Sequence, residues 1–391
     1  MTAAYALDWL DLLARGLHVV TGIAWIGASF YFIWLDNHLE APADPAHAAR
    51  GVKGELWAVH GGGFYNAQKY AAGPPAMPAH LHWFKWEAYT TLLSGLFLLA
   101  VVYYAHADLY LVDPAISSLS APGAIAVSIA TLTGGWIVYD LLCRSPLAKS
   151  DRALGATLAI LCALAAWGLC NVYPGRAAFL HFGAMLGTIM VLNVFFVIIP
   201  GQRKLVEAAG AGRPVDPVHG LRGKQRSVHN TYFTLPAVFT MTSNHYAWVF
   251  GVPWNWAALI AISAAAALIR VFFVARHKGR ASPWPLVAAA ALLAAVAIAA
   301  MPGRSKQAVG GTTAQARAIV AARCASCHAA APTHPGFAAA PKGIVLETEA
   351  QVVALAPRIR EQVAARAMPP GNLTGLTDFE REVLIQWAGA R

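Results

Sequence analysis

Apolar runs of about 20 residues recur along the first three quarters of the chain, each closed by a polar or Gly/Pro-rich stretch. A helix needs about 20 mostly apolar residues to cross roughly 30 Å of hydrocarbon. Eight runs fit, at about 10–35, 84–105, 123–143, 153–172, 178–200, 229–250, 254–275 and 284–301, the last short and alanine-rich. The pattern predicts an all-α bundle of eight transmembrane spans over residues 1–303, with a polar loop at 36–83. From 304 the apolar runs stop. Residues 304–391 read as a small soluble unit with three helical stretches, TTAQARAIVAARC, EAQVVALAPRIREQVAARA and TDFEREVLIQWAGA. In the last, Thr377 and Glu380 have capping-box spacing. The first run carries Asp8 and Asp11 and no basic residue before Arg15, so it reads as a retained span rather than a leader.

Composition agrees with a membrane protein. The chain is 58% hydrophobic and 12% charged, whereas soluble domains carry about 25% charged residues. A net charge of +10 fits either nucleic acid or anionic lipid, and its distribution decides between them. The connections after the first, third, fifth and seventh runs hold fifteen Lys and Arg, from Arg50 to Arg280; those after the second, fourth and sixth hold Arg176 alone. Positive residues concentrate on the cytoplasmic side, so both ends of the chain are expected outside. The excess charge is topological: the partner is the lipid bilayer, and nucleic acid is excluded.

Five cysteines are present, and Cys143, Cys162 and Cys170 lie in or beside apolar runs. The other two form Cys324-Ala-Ser-Cys327-His328, a c-type haem attachment pattern. Both thiols would bind the haem covalently, and His328 would be delivered to the iron. A zinc half-site is the alternative, but the tail offers only His334 as an obvious further ligand. Met368, in AMPPGN, is the tail's only methionine. It is the expected second axial ligand of a His/Met haem, a pairing that raises the reduction potential; His334 is the alternative. Haem c is attached on the periplasmic face, where the charge pattern had already put this tail.

Polar residues at membrane depth are costly and usually functional. His18, His181 and His245 fall toward the outer half of their runs, as candidate ligands of an intramembrane haem b or other redox metal, or as hydrogen-bonded partners between helices. At the inner side lie His60, His229, Glu87, Lys69 and Lys85, with Asp36 and Asp140. The segment HGGGFYNAQKY suits a planar, anionic ligand. Gly61, Gly62 and Gly63 let backbone N–H groups come close, and Phe64, Tyr65 and Asn66 follow. A turn packed on the membrane surface is the simpler alternative. The run HNTYFTLPAVFTMTSNHY at 229–246 is too polar for a lipid-facing helix and should face a cavity or partner helices. No GxGxxG or Walker pattern occurs, which argues against a nucleotide cofactor.

Together GLHVVTGIAWIGASFYFIWLDN, HGGGFYNAQKY, HWFKWEAYTTLLSG and RSVHNTYFTLPAVFTMTSNHY resemble the membrane-bound bacterial urate hydroxylases, as do CASCH, HPGFAAAPKGI and MPPGNLTGLTDFEREVLIQWA. The resemblance implies eight helices fused to a class I-like periplasmic cytochrome c in a bacterial inner membrane. It implies oxidation of urate to 5-hydroxyisourate with oxygen from water, and electrons leaving through haem c to a respiratory cytochrome c or terminal oxidase without peroxide. Span 1 is also similar to membrane families in which a helix histidine precedes Trp-x-Gly, here His18, Trp25 and Gly27, which favours haem b near His18. On the physical reading, His60, His229, Glu87 and Lys69 are the candidate catalytic groups, and Lys85 joins the glycine segment in binding substrate. Two other readings stay open: a membrane dehydrogenase for another small molecule or quinol, and an electron conduit serving a separate subunit.

Overall fold

A computed structural model describes residues 3–70, 73–280, 282–301, 311–334 and 337–390. The expected division at 303/304 and the Pro-Gly pair of HPGFAAAPKGI lie outside the described residues. Helix α1 spans Ala3–His38 and α2 Trp86–Leu98, continued by a π-helical segment Leu99–Tyr104. Helices α3 (Ala121–Arg144) and α4 (Asp151–Cys170) follow. Next comes α5, Gly175–Asn193, which runs through a π segment Val194–Ile198 into Ile199–Gly210. The bundle closes with α6 (Pro217–Ser243), α7 (Asn255–His277) and α8 (Trp284–Ala299).

Helices α1 to α5 and α7 are the six among the described residues that are long and apolar enough to cross a bilayer. The other two expected spans differ. Helix α6 starts at Pro217, so Arg222, Lys224 and Arg226 are helical rather than loop residues, and it ends before His245. Its polar side is satisfied inside the protein: Arg226, Asn230, Thr231, Thr234 and Thr240 are all buried, largely where α6 packs on α5. This bears out the expectation that the polar run faces partner helices. Helix α8 is apolar but only 16 residues long.

The all-α expectation needs one correction. Strands β1 (Val52–His60) and β2 (Gly63–Tyr70) form an antiparallel hairpin within the 36–83 segment. Its two-residue turn is Gly61-Gly62, at φ +58° and +82°. Two consecutive positive φ values define the turn whose twist matches paired strands, and glycine adopts them without strain. The hairpin base is pinned to the end of α1. Lys69 pairs with Asp36, and buried Glu55 accepts from His47 Nδ1 at 2.6 Å and from the Ala43 N–H at 3.1 Å. The His47 hydrogen bond holds the Glu55 carboxyl below the usual range.

Helix α5 is the centre of the bundle, packed on α3, α4 and α6, with Phe179, Leu186 and Val191 fully buried. The tail folds as α9 (Thr313–Arg323), α10 (Glu349–Ala354), α11 (Ala356–Ala364) and α12 (Asp378–Gly389). The expected Thr377–Glu380 capping box forms, and Thr312–Gln315 and Thr348–Gln351 make two more. Val320, Val352, Leu384 and Trp387 build a separate core.

This tail rests on the bundle. The short helix Ala247–Phe250 packs on α11, and Ala107–Tyr110 on Pro370–Asn372. At Gly251 there is no room for a side chain: a Cβ would stand 2.3 Å from the Ala365 carbonyl oxygen. Gly251→Val is therefore expected to loosen the docked tail while leaving both cores folded. Limited proteolysis should show faster cleavage around 365–372 with unchanged helix content; unchanged protection would mean the contact does not hold the tail.

Candidate functional site

Two cavities lie at opposite ends of the bundle. The first is formed jointly by the tail and the bundle, with a volume of about 480 Å³, within the roughly 300–1,000 Å³ usual for cofactor sites. Cys324, Cys327, His328 and Met368 all line it. Cys324 follows α9 directly and the CxxCH segment turns back on itself, with His328 N–H bonded to Cys324 O at 2.9 Å. His328 Nδ1–H donates to Ile344 O at 2.9 Å. That bond fixes the ring and leaves Nε2 as the acceptor, the tautomer a metal ligand requires. The Met368 loop is held by Arg381, whose Nη1 donates to Val363 O at 2.6 Å and Met368 O at 3.3 Å.

The bundle contributes Tyr110, Arg176, Asn244 and His245 to the same cavity. Arg176 has no carboxylate partner among the described residues and stands over Phe250 at 5.6 Å. Asn244 Oδ1 is buried without a hydrogen-bond partner. The donor set fits a haem c: paired thiols, a correctly turned imidazole, a thioether, and an arginine free to meet a propionate.

The second cavity, about 650 Å³, opens among the ends of α3, α5 and α6. Arg144, Lys149, Lys204, Arg222 and Arg226 line it, and no carboxylate does among the described residues. The first four are exposed and form a rim, whereas Arg226 is buried in the floor. Arg226 Nη2 donates to Asp140 Oδ1 at 2.8 Å and Nη1 to Asn193 Oδ1 at 3.3 Å. Asn193 Nδ2 donates to Tyr139 Oη at 3.0 Å and to Asn230 Oδ1 at 2.8 Å. Tyr139 thus accepts from Asn193, leaving its own proton to donate to His229 Nδ1 at 2.9 Å. Cys143, which lines the cavity, separates it from His229 at 3.9 Å.

The sequence candidates are distributed unevenly over this frame. His229 joins the Arg226 network. His60, Gly61, Gly62, Gly63, Phe64, Tyr65 and Asn66 instead occupy the hairpin tip, where Phe64 and Tyr65 are 79% and 57% exposed. Lys69 is engaged by Asp36. Lys85 immediately precedes α2 with its ammonium over the Trp86 ring at 5.4 Å, and Glu87 lies in the first turn. The three intramembrane histidines stand apart. His18 Nδ1 contacts Thr91 O and Ser94 Oγ at 3.0 and 3.1 Å. His181 uses both nitrogens, Nδ1 on Ala177 O and Nε2 on Ser128 Oγ, each at 2.7 Å. His245 lines the tail cavity. No group of three or more His, Cys, Asp or Glu arranged to hold a metal ion occurs among the described residues.

Arg226, Asn193 and Arg176 were not singled out by sequence. The signal was there: Arg226, Asn230 and Thr234 repeat every fourth residue, Asn193 interrupts an apolar run, and Arg176 is the lone exception to the charge pattern.

A bundle of this build, with six membrane-length helices, is that of a multi-pass membrane protein. The chain belongs to the urate oxidase N-terminal family, which matches residues 4–301. That match covers the bundle and stops before the tail. No curated protein and no solved structure matches the chain. Membership points to urate-related oxidation.

The buried ion pair at the cavity floor yields a direct expectation. Breaking a buried pair by removing one partner costs about 3–5 kcal/mol, and Asp140 serves both Arg226 and Arg144. Asp140→Ala should lower the thermal unfolding midpoint markedly, whereas Arg144→Gln, at an exposed position, should shift it little. Equal, small shifts would mean the Arg226 pair carries no such weight.

Proposed function

We propose that this protein is a membrane-bound urate hydroxylase: urate and water become 5-hydroxyisourate, two protons and two electrons, and the electrons leave through a haem c in the tail. Family membership over residues 4–301 carries the urate half of this reading. The tail cavity carries the other half. Cys324 and Cys327 would hold the haem by thioether bonds, with His328 and Met368 on the iron, and Arg176 and Asn244 closing the cavity from the bundle. A haem bound there supplies one-electron acceptance, so a two-electron oxidation is drained in two steps without reducing oxygen.

The eight-span topology, with the basic end cytoplasmic and the tail periplasmic, belongs to the same proposal. Loop charge supports it: the basic cavity and the tail cavity lie at opposite ends. His229 Nδ1 accepts from the Tyr139 hydroxyl, so a proton would reach it only by relay: Tyr139 passes its own proton to His229 and takes one from the cavity side. His60, Glu87 and Lys69 lie outside that network and carry no role in this reading. A respiratory cytochrome c or terminal oxidase would take the electrons onward.

Purified oxidised protein, kept anaerobic, should develop the reduced haem c α-band on adding urate. Reduction by dithionite but not by urate would overturn the reading in favour of a conduit or another substrate. Cys324→Ala with Cys327→Ala should abolish covalently bound haem on a denaturing gel. Met368→Leu should keep the haem and lower its midpoint potential. Arg176→Gln should also keep it and shift the potential by a smaller amount, since a half-buried cation lining the cavity is removed.

A further inference from the structure

The basic cavity has no part in the glycine-segment reading, and of the motifs that carry the resemblance it touches the Arg226 end of RSVHNTYF. We propose that it is where urate binds, as a planar anion, with Arg222 and Lys204 at the rim, Arg226 at the floor and Phe196 along the wall. This deepens the urate reading above and rests on it.

Four observations converge. Five Lys and Arg line the cavity and no described carboxylate does; Arg144 and Arg226 share Asp140 behind the wall, which leaves Lys149, Lys204 and Arg222 to attract an entering anion. The floor arginine is pinned by Asp140 and Asn193, so its guanidinium is oriented before a ligand arrives, which lowers the ordering cost of binding. Phe196 lines the wall and is backed by Trp136, the rings near parallel at 5.9 Å and 23°, a rigid apolar surface for a flat heterocycle. Phe196 and Val197 sit on the π segment Val194–Ile198, an irregularity common at functional positions. The hairpin tip lacks the pinned arginine and the π segment: no arginine lies on either strand. A phospholipid headgroup is the competing anion, since cationic clefts on the cytoplasmic side of a bundle also bind lipid phosphates. The aromatic wall and the proton-holding network behind the floor favour the purine.

The test is urate binding rather than turnover. The full-length holoprotein, reduced with dithionite so that it cannot oxidise its ligand, is put in phosphatidylcholine nanodiscs and equilibrated with radiolabelled urate. Each rim charge removed should weaken binding about tenfold, so Lys204→Gln with Arg222→Gln should lose about a hundredfold. Lys278→Gln, an exposed cation at the same end but outside the cavity, should bind as wild type. All three should share one reduced haem spectrum, which reports the fold. Undiminished urate binding in the double variant would overturn the cavity assignment and leave the urate reading standing. The same holds if the double variant loses only retained phosphatidylglycerol from purified samples: the cavity is then a lipid site. Wild-type protein that binds no urate at all would overturn the urate reading itself.

Discussion

An arginine buried among apolar helices has to find its counter-charge and its hydrogen-bond acceptors where it stands, because an unpaired ion there is costly. Arg226 is that residue. Its two acceptors come from two other helices, Asp140 on α3 and Asn193 on α5, so satisfying it fixes the relative height of α3, α5 and α6 together. The rest of the cluster follows from that choice: Asn193 reaches Tyr139 and Asn230, and Tyr139 reaches His229. A slip of one residue in any of the three helices would leave several of these groups unpaired at once. The walls of the basic cavity are the continuations of the same helices, so the contacts that hold the fold also shape the site.

The opposite end is built by docking rather than by a buried ion. There the bundle presents Gly251, the short helix Ala247–Phe250 and the 107–112 segment, and the tail meets them with Ala365 and the Pro370–Asn372 turn. Close backbone approach at Gly251 brings Arg176, Asn244 and His245 into the wall of the cavity that the CxxCH segment opens onto. Neither part alone encloses that cavity.

Most of the helical frame was legible in the chain because apolar run length is a one-dimensional property. The α6 start was missed because its first turns are as polar as a loop; only the burial of Arg226, Asn230 and Thr234 on one side explains that polarity, and burial is a tertiary fact. The hairpin was missed for the opposite reason. Gly61-Gly62 reads equally as part of a ligand cradle or as a turn on the membrane surface; two glycines between alternating strands are also the tightest hairpin turn, and local sequence does not separate these. The CxxCH, methionine and capping-box readings rest on spacing alone and need no tertiary partner to be seen. The basic cavity is not visible in the sequence, since its cations come from two separate connections, each of which reads alone as topological charge.

The two ends are not independent, because α3 and α5 run through both. On α3, Ser128 serves His181 and Tyr104, while Tyr139 serves His229 and Asn193; at 1.5 Å per residue the two clusters lie about 16 Å apart. On α5, His181 and Asn193 are about 18 Å apart by the same measure. Each cluster adjoins a π segment, Tyr104 closing Leu99–Tyr104 and Asn193 preceding Val194–Ile198. An extra residue per turn at those points re-aims the side chains that follow. His181, with both nitrogens engaged and Tyr173 stacked on its ring at 4.6 Å, is thus a structural tie at the level below the tail, as Arg226 is at the other end. Two polar ties on one helix pair fix the separation of the two cavities, which is what a protein needs if substrate is oxidised at one end and its electrons are collected at the other.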